Sequence, residues 1–281
     1  MGFDLSGLRK SVEETPFPVD AVRAGAYAAA IGDPFSEHLA GRVATPMFAV
    51  VPIIDPMVRA MRQVTDAFAL HGEHDIRIHA PLRAGMTVRV RAATVGVWPK
   101  PAGVVLVIRI DSRTEQGEPL NRQYFVNLVP NSTIPAGAGE PPPEHRMPER
   151  LASESPIAEP RFSLDPTLGR RYAEASGDMS PYTFDAEAAR AVGLPGVIVG
   201  GICTMSFASR AVVEGPCAGD AGRLKRLALR FSRLLLLDPG QSITVPIWEG
   251  DALRDRRVLH FEVRDMRGET VVTHGLAEIA A

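Results

Sequence analysis

Tyr27-Ala28-Ala29-Ala30-Ile31-Gly32-Asp33 and Tyr172-Ala173-Glu174-Ala175-Ser176-Gly177-Asp178 are two versions of one heptapeptide, with Tyr, two Ala, Gly and Asp in matching places. They lie 145 residues apart (172 minus 27), too far for a solenoid or propeller repeat and close to the size of a small domain. A second echo has nearly the same offset. Gly85 precedes the alternating run Met86-Thr87-Val88-Arg89-Val90, and Gly240 precedes Ser242-Ile243-Thr244-Val245, 155 residues later (240 minus 85). The chain therefore reads as two copies of one module, 1–135 and 161–281. A connection over 136–160 joins them, in a stretch that holds Pro130, Pro135, Pro141, Pro142, Pro143, Pro148, Pro156 and Pro160 and favours an extended course over a packed core.

Composition narrows the function classes. With 281 residues, 45% hydrophobic and 23% charged, the chain is that of a globular protein with enough apolar surface for a proper core. A net charge of −2 and the lack of a basic block give no electrostatic case for nucleic acid or an anionic membrane. The two cysteines, Cys203 and Cys217, are too few for a disulfide scaffold, and no stretch approaches the length of an apolar spanning helix. The expected setting is cytoplasmic, with small molecules or protein partners as ligands.

Alternating segments over Thr87–Ala93, Val104–Ile110 and Gln123–Val129, and again over Leu227–Phe231, Ser242–Trp248, Val258–Val263 and Thr270–Ile279, predict antiparallel meanders. Gly201–Val213 is apolar on most faces and predicts a buried helix. Its counterpart opens at Thr45-Pro46, a good cap and first-turn pair, and runs to about Val64, made irregular by Pro52 and Pro56. A short Tyr-bearing helix, a loop, one buried helix and a sheet long enough to wrap it make a hotdog. The expected class is α+β, a double hotdog, whose two sheets would pair edge to edge and protect exposed strands.

The second copy carries more. Tyr172-Ala173-Glu174-Ala175-Ser176-Gly177-Asp178-Met179-Ser180-Pro181-Tyr182-Thr183-Phe184-Asp185, followed by Val197-Ile198-Val199-Gly200-Gly201-Ile202-Cys203-Thr204, resembles the signature of the MaoC-like family, in particular its double-hotdog type 2 enoyl-CoA hydratases. His71-Gly72-Glu73 and His79-Ala80-Pro81 in the first copy are also similar to that family. The resemblance implies an acyl-thioester hydratase or dehydratase in fatty-acid or polyketide chemistry. It further implies an Asp and a His as acid and base, a glycine amide at the buried helix start holding the thioester carbonyl, a coenzyme A or carrier-protein thioester as partner, and no cofactor. Adding water to an enoyl β-carbon needs those parts: a base, a proton source and donors for the enolate.

This chain departs from the pattern. Ser180 stands where the family has Asn, Thr183 where it has the catalytic His, and Gly200 where a His opens the helix. A threonine hydroxyl is no base near neutral pH without help. Asp178 remains, with Gly200, Gly201, Ser180, Tyr182 and Thr183 as binding candidates. The first copy supplies a substitute in Asp33-Pro34-Phe35-Ser36-Glu37-His38, which keeps the Asp-to-His spacing of five, so Asp33 and His38 join Asp178 as catalytic candidates. His71, His74 and His79 lie on a strand-like segment and are not read as a metal site. Arg223, Lys225, Arg226 and Arg230 are candidate phosphate contacts. Two alternatives stay open. One repurposes the pocket for addition of a tethered nucleophile, cyclisation or thioester hydrolysis. The other is a non-catalytic acyl-binding subunit; homodimers or a hotdog partner fit either.

Overall fold

The computed structural model describes residues 2–12, 14–253 and 255–281. In chain order its strands and α-helices are β1 (Thr15–Pro18), α1 (Ala21–Ala30), α2 (Ser36–Leu39), α3 (Ile54–Arg62), β2 (Leu70–Ile78), β3 (Thr87–Lys100), β4 (Gly103–Arg113), β5 (Pro119–Pro130) and β6 (Ala138–Gly139). There follow β7 (Arg161–Ser163), α4 (Leu168–Ser176), α5 (Ala186–Ala191), β8 (Ile198–Val199), α6 (Gly201–Glu214), β9 (Leu224–Phe231), β10 (Leu235–Leu236), β11 (Ser242–Thr244), β12 (Ile247–Glu249), β13 (Arg256–Arg264) and β14 (Thr270–Ala280).

Contacts divide the chain into two units that cut across the repeats. The first holds the chain up to Pro18, Pro52–Ala80 and Met86–Glu144; the second holds Val19–Val51, Pro81–Gly85 and His145–Ala281. This differs from a division at 135 and 160. The Tyr-bearing helix of the first copy belongs with the second copy, for reasons of hydrogen bonding given below.

In the first unit the strands run antiparallel in the order β1-β3-β4-β5-β2. The run Val104-Val105-Leu106-Val107-Ile108 in β4 is buried throughout, which is why it is continuously apolar and not alternating. Val104 and Leu106 pack with Val64, Val97 and Val129, and Met61 of α3 lies against the same cluster. Val105 and Val107 pack on the other face with Ala93, Val95, Tyr124 and Val126. The helix is irregular as its prolines require: Pro46–Ile53 is a 3₁₀ segment with Pro52 inside it, and α3 begins at Ile54. Proline's missing N–H and its ring break the α ladder, whereas Pro56 is tolerated in a first turn.

The second unit's sheet follows β9-β14-β13-β11-β7, with β12 on β13. Its α6 is buried at every position from Cys203 to Ser209, the signature of a helix enclosed on all faces. Each unit thus carries the hotdog arrangement of a helix and an antiparallel sheet. The proline-rich connection is pinned rather than free. Within the first unit β6 pairs with β3, and Trp98 Nε1 donates to the Glu140 carbonyl at 2.8 Å. Within the second, Leu151 is buried and Trp248 Nε1 donates to the Glu154 carbonyl at 2.9 Å.

Candidate active site

The repeated tyrosines meet. Tyr27 Oη lies 2.9 Å from Tyr172 Oη and 2.8 Å from Ser206 Oγ on α6. Ser206 donates to the Ile202 carbonyl at 2.9 Å, so the chain of hydroxyls runs one way: Tyr172 donates to Tyr27, Tyr27 to Ser206, Ser206 to the backbone. All three are buried, and burial pushes both phenols above the usual tyrosine range. Arg23 of α1 adds Nε and Nη2 bonds of 2.9 Å each to the carbonyls of Ala175 and Ser176 at the end of α4. These bonds join α1, α4 and α6 in the second unit.

Beyond each tyrosine the chain turns through a left-handed glycine, Gly32 at φ 63° and Gly177 at φ 84°, a conformation that side chains with a Cβ resist. The turn delivers the aspartate. In the first copy Asp33 and His38 are both buried, and His38 Nδ1 lies 2.8 Å from Asp33 Oδ2. The other carboxylate oxygen, Oδ1, accepts the Phe35 amide at 2.9 Å, and the Phe35 ring meets the imidazole edge-on at 5.5 Å. His38 is on α2, a single turn, and its ring is 6% exposed. An aspartate on Nδ1 fixes the proton there and leaves Nε2 as the basic nitrogen.

In the second copy the same positions are occupied differently. Asp178 Oδ1 accepts Ser180 Oγ at 2.6 Å, and Thr183 Oγ1 donates to the Ser180 carbonyl at 2.8 Å. Both hydroxyls are committed within the loop. Asp178, Thr183, Gly200, Tyr172 and Cys203 line one cavity of about 20 Å³, room for a single water. Gly200 caps α6, and a Cβ on it would lie 3.8 Å from the Thr183 methyl. A Cβ on Gly201 would lie 3.0–3.2 Å from the Phe231 ring, so an aromatic face covers this helix start. Tyr182 is half-buried and outside the cavity lining.

Known proteins resemble this chain in sequence and in fold. A family model described as the MaoC like domain matches residues 149–275. A UPF0336 protein of Streptomyces griseus is 35% identical over 128 residues, which cover 41% of this chain and 81% of that protein. The chain belongs to the MaoC-like family. It is also similar to the peroxisomal enoyl-CoA hydratase 2 of Arabidopsis thaliana, 27% identical over 210 residues; the match takes in 72% of this chain and 66% of that protein's length. In fold it resembles a MaoC-like dehydratase from Phytophthora capsici, with a TM-score of 0.81, 22% identity, and coverage of 99% and 97% of the two chains.

Elsewhere in this MaoC-like chain the remaining candidates have other tasks. In the first unit His71 stacks on Phe125 at 4.5 Å and His74 meets the same ring edge-on at 4.3 Å. Burial drives His71 down to about 3 and His74 well below the imidazole range, so both are neutral packing groups near neutral pH. The His79 amide donates to the Leu120 carbonyl. Among the described residues no group of three or more His, Cys, Asp or Glu side chains is arranged to hold a metal, and no helix is long and apolar enough to cross a membrane. Of the phosphate candidates, Arg223 donates twice to the Ala280 carbonyl, Arg226 pairs with Glu278, and Lys225 donates to the Gly222 carbonyl. No pattern of residue types marks Arg23 or Arg210 at the aspartate turns, because their partners there are backbone carbonyls.

Proposed function

We propose that this protein is a hydro-lyase acting on a 2-enoyl or 3-hydroxyacyl thioester, with Asp33 and His38 as its acid–base pair. The observation that carries the reading is the buried Asp33–His38 contact of 2.8 Å, together with membership of a family whose relatives include an enoyl-CoA hydratase. With Nδ1–H held by Asp33, Nε2 takes a proton from water as the water oxygen bonds to the β-carbon, and the π electrons move to the α-carbon and thioester carbonyl. The imidazolium then returns that proton to the α-carbon, so one base serves both transfers and the addition is syn. Asp33 supports the transient positive charge. The enolate needs N–H donors. The reading gives that role to the Met47 amide, which precedes the first hydrogen bond of the segment opening at Pro46, Phe48 N–H to Thr45 carbonyl.

The test is direct. Purified protein is mixed with trans-2-enoyl-coenzyme A of several chain lengths and the loss of enoyl absorbance is followed, with mass spectrometry for a gain of one water. Hydration that disappears in His38→Gln supports the proposal, and no turnover in either direction on any thioester overturns it. A second reading puts the chemistry at Asp178, favoured by the cavity it lines with Gly200. On that reading Asp178→Asn is inactive and His38→Gln is not.

A further inference from the structure

Two arginines hold the two aspartate turns, and each belongs to the other copy. Arg23, on the Tyr27 helix, grips Ala175 and Ser176 just ahead of Gly177-Asp178. Arg210, on α6 of the second copy, donates from Nη1 to the Ile31 carbonyl at 2.9 Å, just ahead of Gly32-Asp33. The Ile31 carbonyl lies at the end of α1, where carbonyls lack helical partners and a cation is favoured.

Arg210 is itself held by two further contacts and is largely buried. Its Nε bonds Glu214 one turn further along α6, its guanidinium lies over the Phe162 ring at 4.6 Å, and its side chain is only 18% exposed. Gly32 accepts the guanidinium closely, since a Cβ there would stand 2.9 Å from Nη1. From that turn Asp33 N–H bonds back to the Ala28 carbonyl at 2.9 Å, and the Asp33 carboxylate goes forward to Phe35 and His38. The carbonyl that Arg210 holds thus lies two residues ahead of the carboxylate that holds His38.

We propose that Arg210 is a positioning residue for the Asp33–His38 pair, acting through the Ile31 carbonyl without touching substrate. Its kinetic consequence rests on the hydro-lyase reading; its structural consequence does not. With the grip removed, the turn shifts and the imidazole Nδ1–H is less well held, and misplacement of a reacting group by about 1 Å costs on the order of 100-fold in rate.

The experiment uses full-length protein with ¹⁵N-labelled histidine. The downfield Nδ1–H signal of His38 is assigned by its absence in His38→Gln. Arg210→Met is expected to broaden or lose it by exchange, and to lower kcat by about 10–100-fold with KM within about twofold. Arg23→Met, which removes a similar grip from the Asp178 turn, is the control for lost stability and is expected to leave the His38 signal in place. Should Arg210→Met fail to fold, Arg210→Lys keeps the charge but replaces the two nitrogens that hold Glu214 and Ile31 by one, and is expected to speed exchange of the same proton. An unchanged His38 signal and exchange rate in a folded Arg210 variant overturns the proposal, as does equal loss of the signal in Arg23→Met. Wild-type protein without hydratase activity would overturn the functional reading alone, because the proton signal decides the positioning role independently.

Discussion

At Asp33 the two carboxylate oxygens have separate partners, the Phe35 amide on Oδ1 and His38 on Oδ2, and this division makes Asn a sharp probe. In Asp33→Asn the amide oxygen keeps the Phe35 N–H, while the NH₂ group faces Nδ1 and forces the imidazole proton onto Nε2. The base is then the wrong nitrogen. Activity is expected to fall about 100- to 10,000-fold, the range for loss of acid–base catalysis, while circular dichroism stays that of wild type. On the Asp33–His38 reading, Asp178→Asn is expected to stay within about threefold of wild type in kcat/KM, because that copy has Thr183 where the base would stand. The spacing of five between Asp33 and His38 was legible in the sequence because both groups are local, and a one-turn helix brings them together. The commitment of Thr183 to the Ser180 carbonyl was not, since a hydroxyl bonded to backbone leaves no pattern in residue types.

Three helices share one chain of hydroxyls, and its direction ranks substitutions on them. Tyr27 on α1 both accepts from Tyr172 on α4 and donates to Ser206 on α6, whereas Tyr172 only donates. Tyr27→Phe strands a buried donor and removes a donor to Ser206, and is expected to cost about 2–3 kcal/mol. Tyr172→Phe removes the terminal donor and leaves every other hydroxyl donating, so about 1 kcal/mol is expected. Urea denaturation of the two variants checks the order, and a larger loss for Tyr172→Phe would reverse the assigned direction. The buried helix α6 and most strands were legible from hydrophobic pattern. The grouping of Val19–Val51 with the second copy was not, because it rests on Tyr27, Arg23 and Arg210 reaching partners 145 to 179 residues away. An internal repeat announces that two copies exist; it does not say that a helix of the first packs with the second.

Stability of the whole chain should depend on pH through histidines the chemistry does not use. His71, held at about 3, and His74, held well below its usual range, are neutral when folded because burial penalises their charged forms. Unfolded, each titrates near 6.5. Between those limits the unfolded chain binds more protons than the folded one, so stability rises with pH, is complete above about 6.5, and is lost progressively as pH falls toward 3. One such histidine removes about 2 kcal/mol between pH 7 and pH 5, a sizeable part of the roughly 5–15 kcal/mol that holds a typical domain together. His260, pushed down mainly by burial, acts in the same direction. Carboxylates held below their usual range by hydrogen bonds to Ser6, Thr167 or Ala188, namely Asp4, Asp165 and Asp185, lose their contribution only at lower pH, so the interval from 7 to 5 isolates the histidines. The urea midpoint of the wild type is therefore expected to fall over that interval. In His74→Gln, which keeps a neutral polar group facing Gln123, the fall is expected to be shallower. A midpoint that is flat or rises from pH 7 to pH 5 would overturn the reading of His71 and His74 as imidazoles kept neutral by the fold.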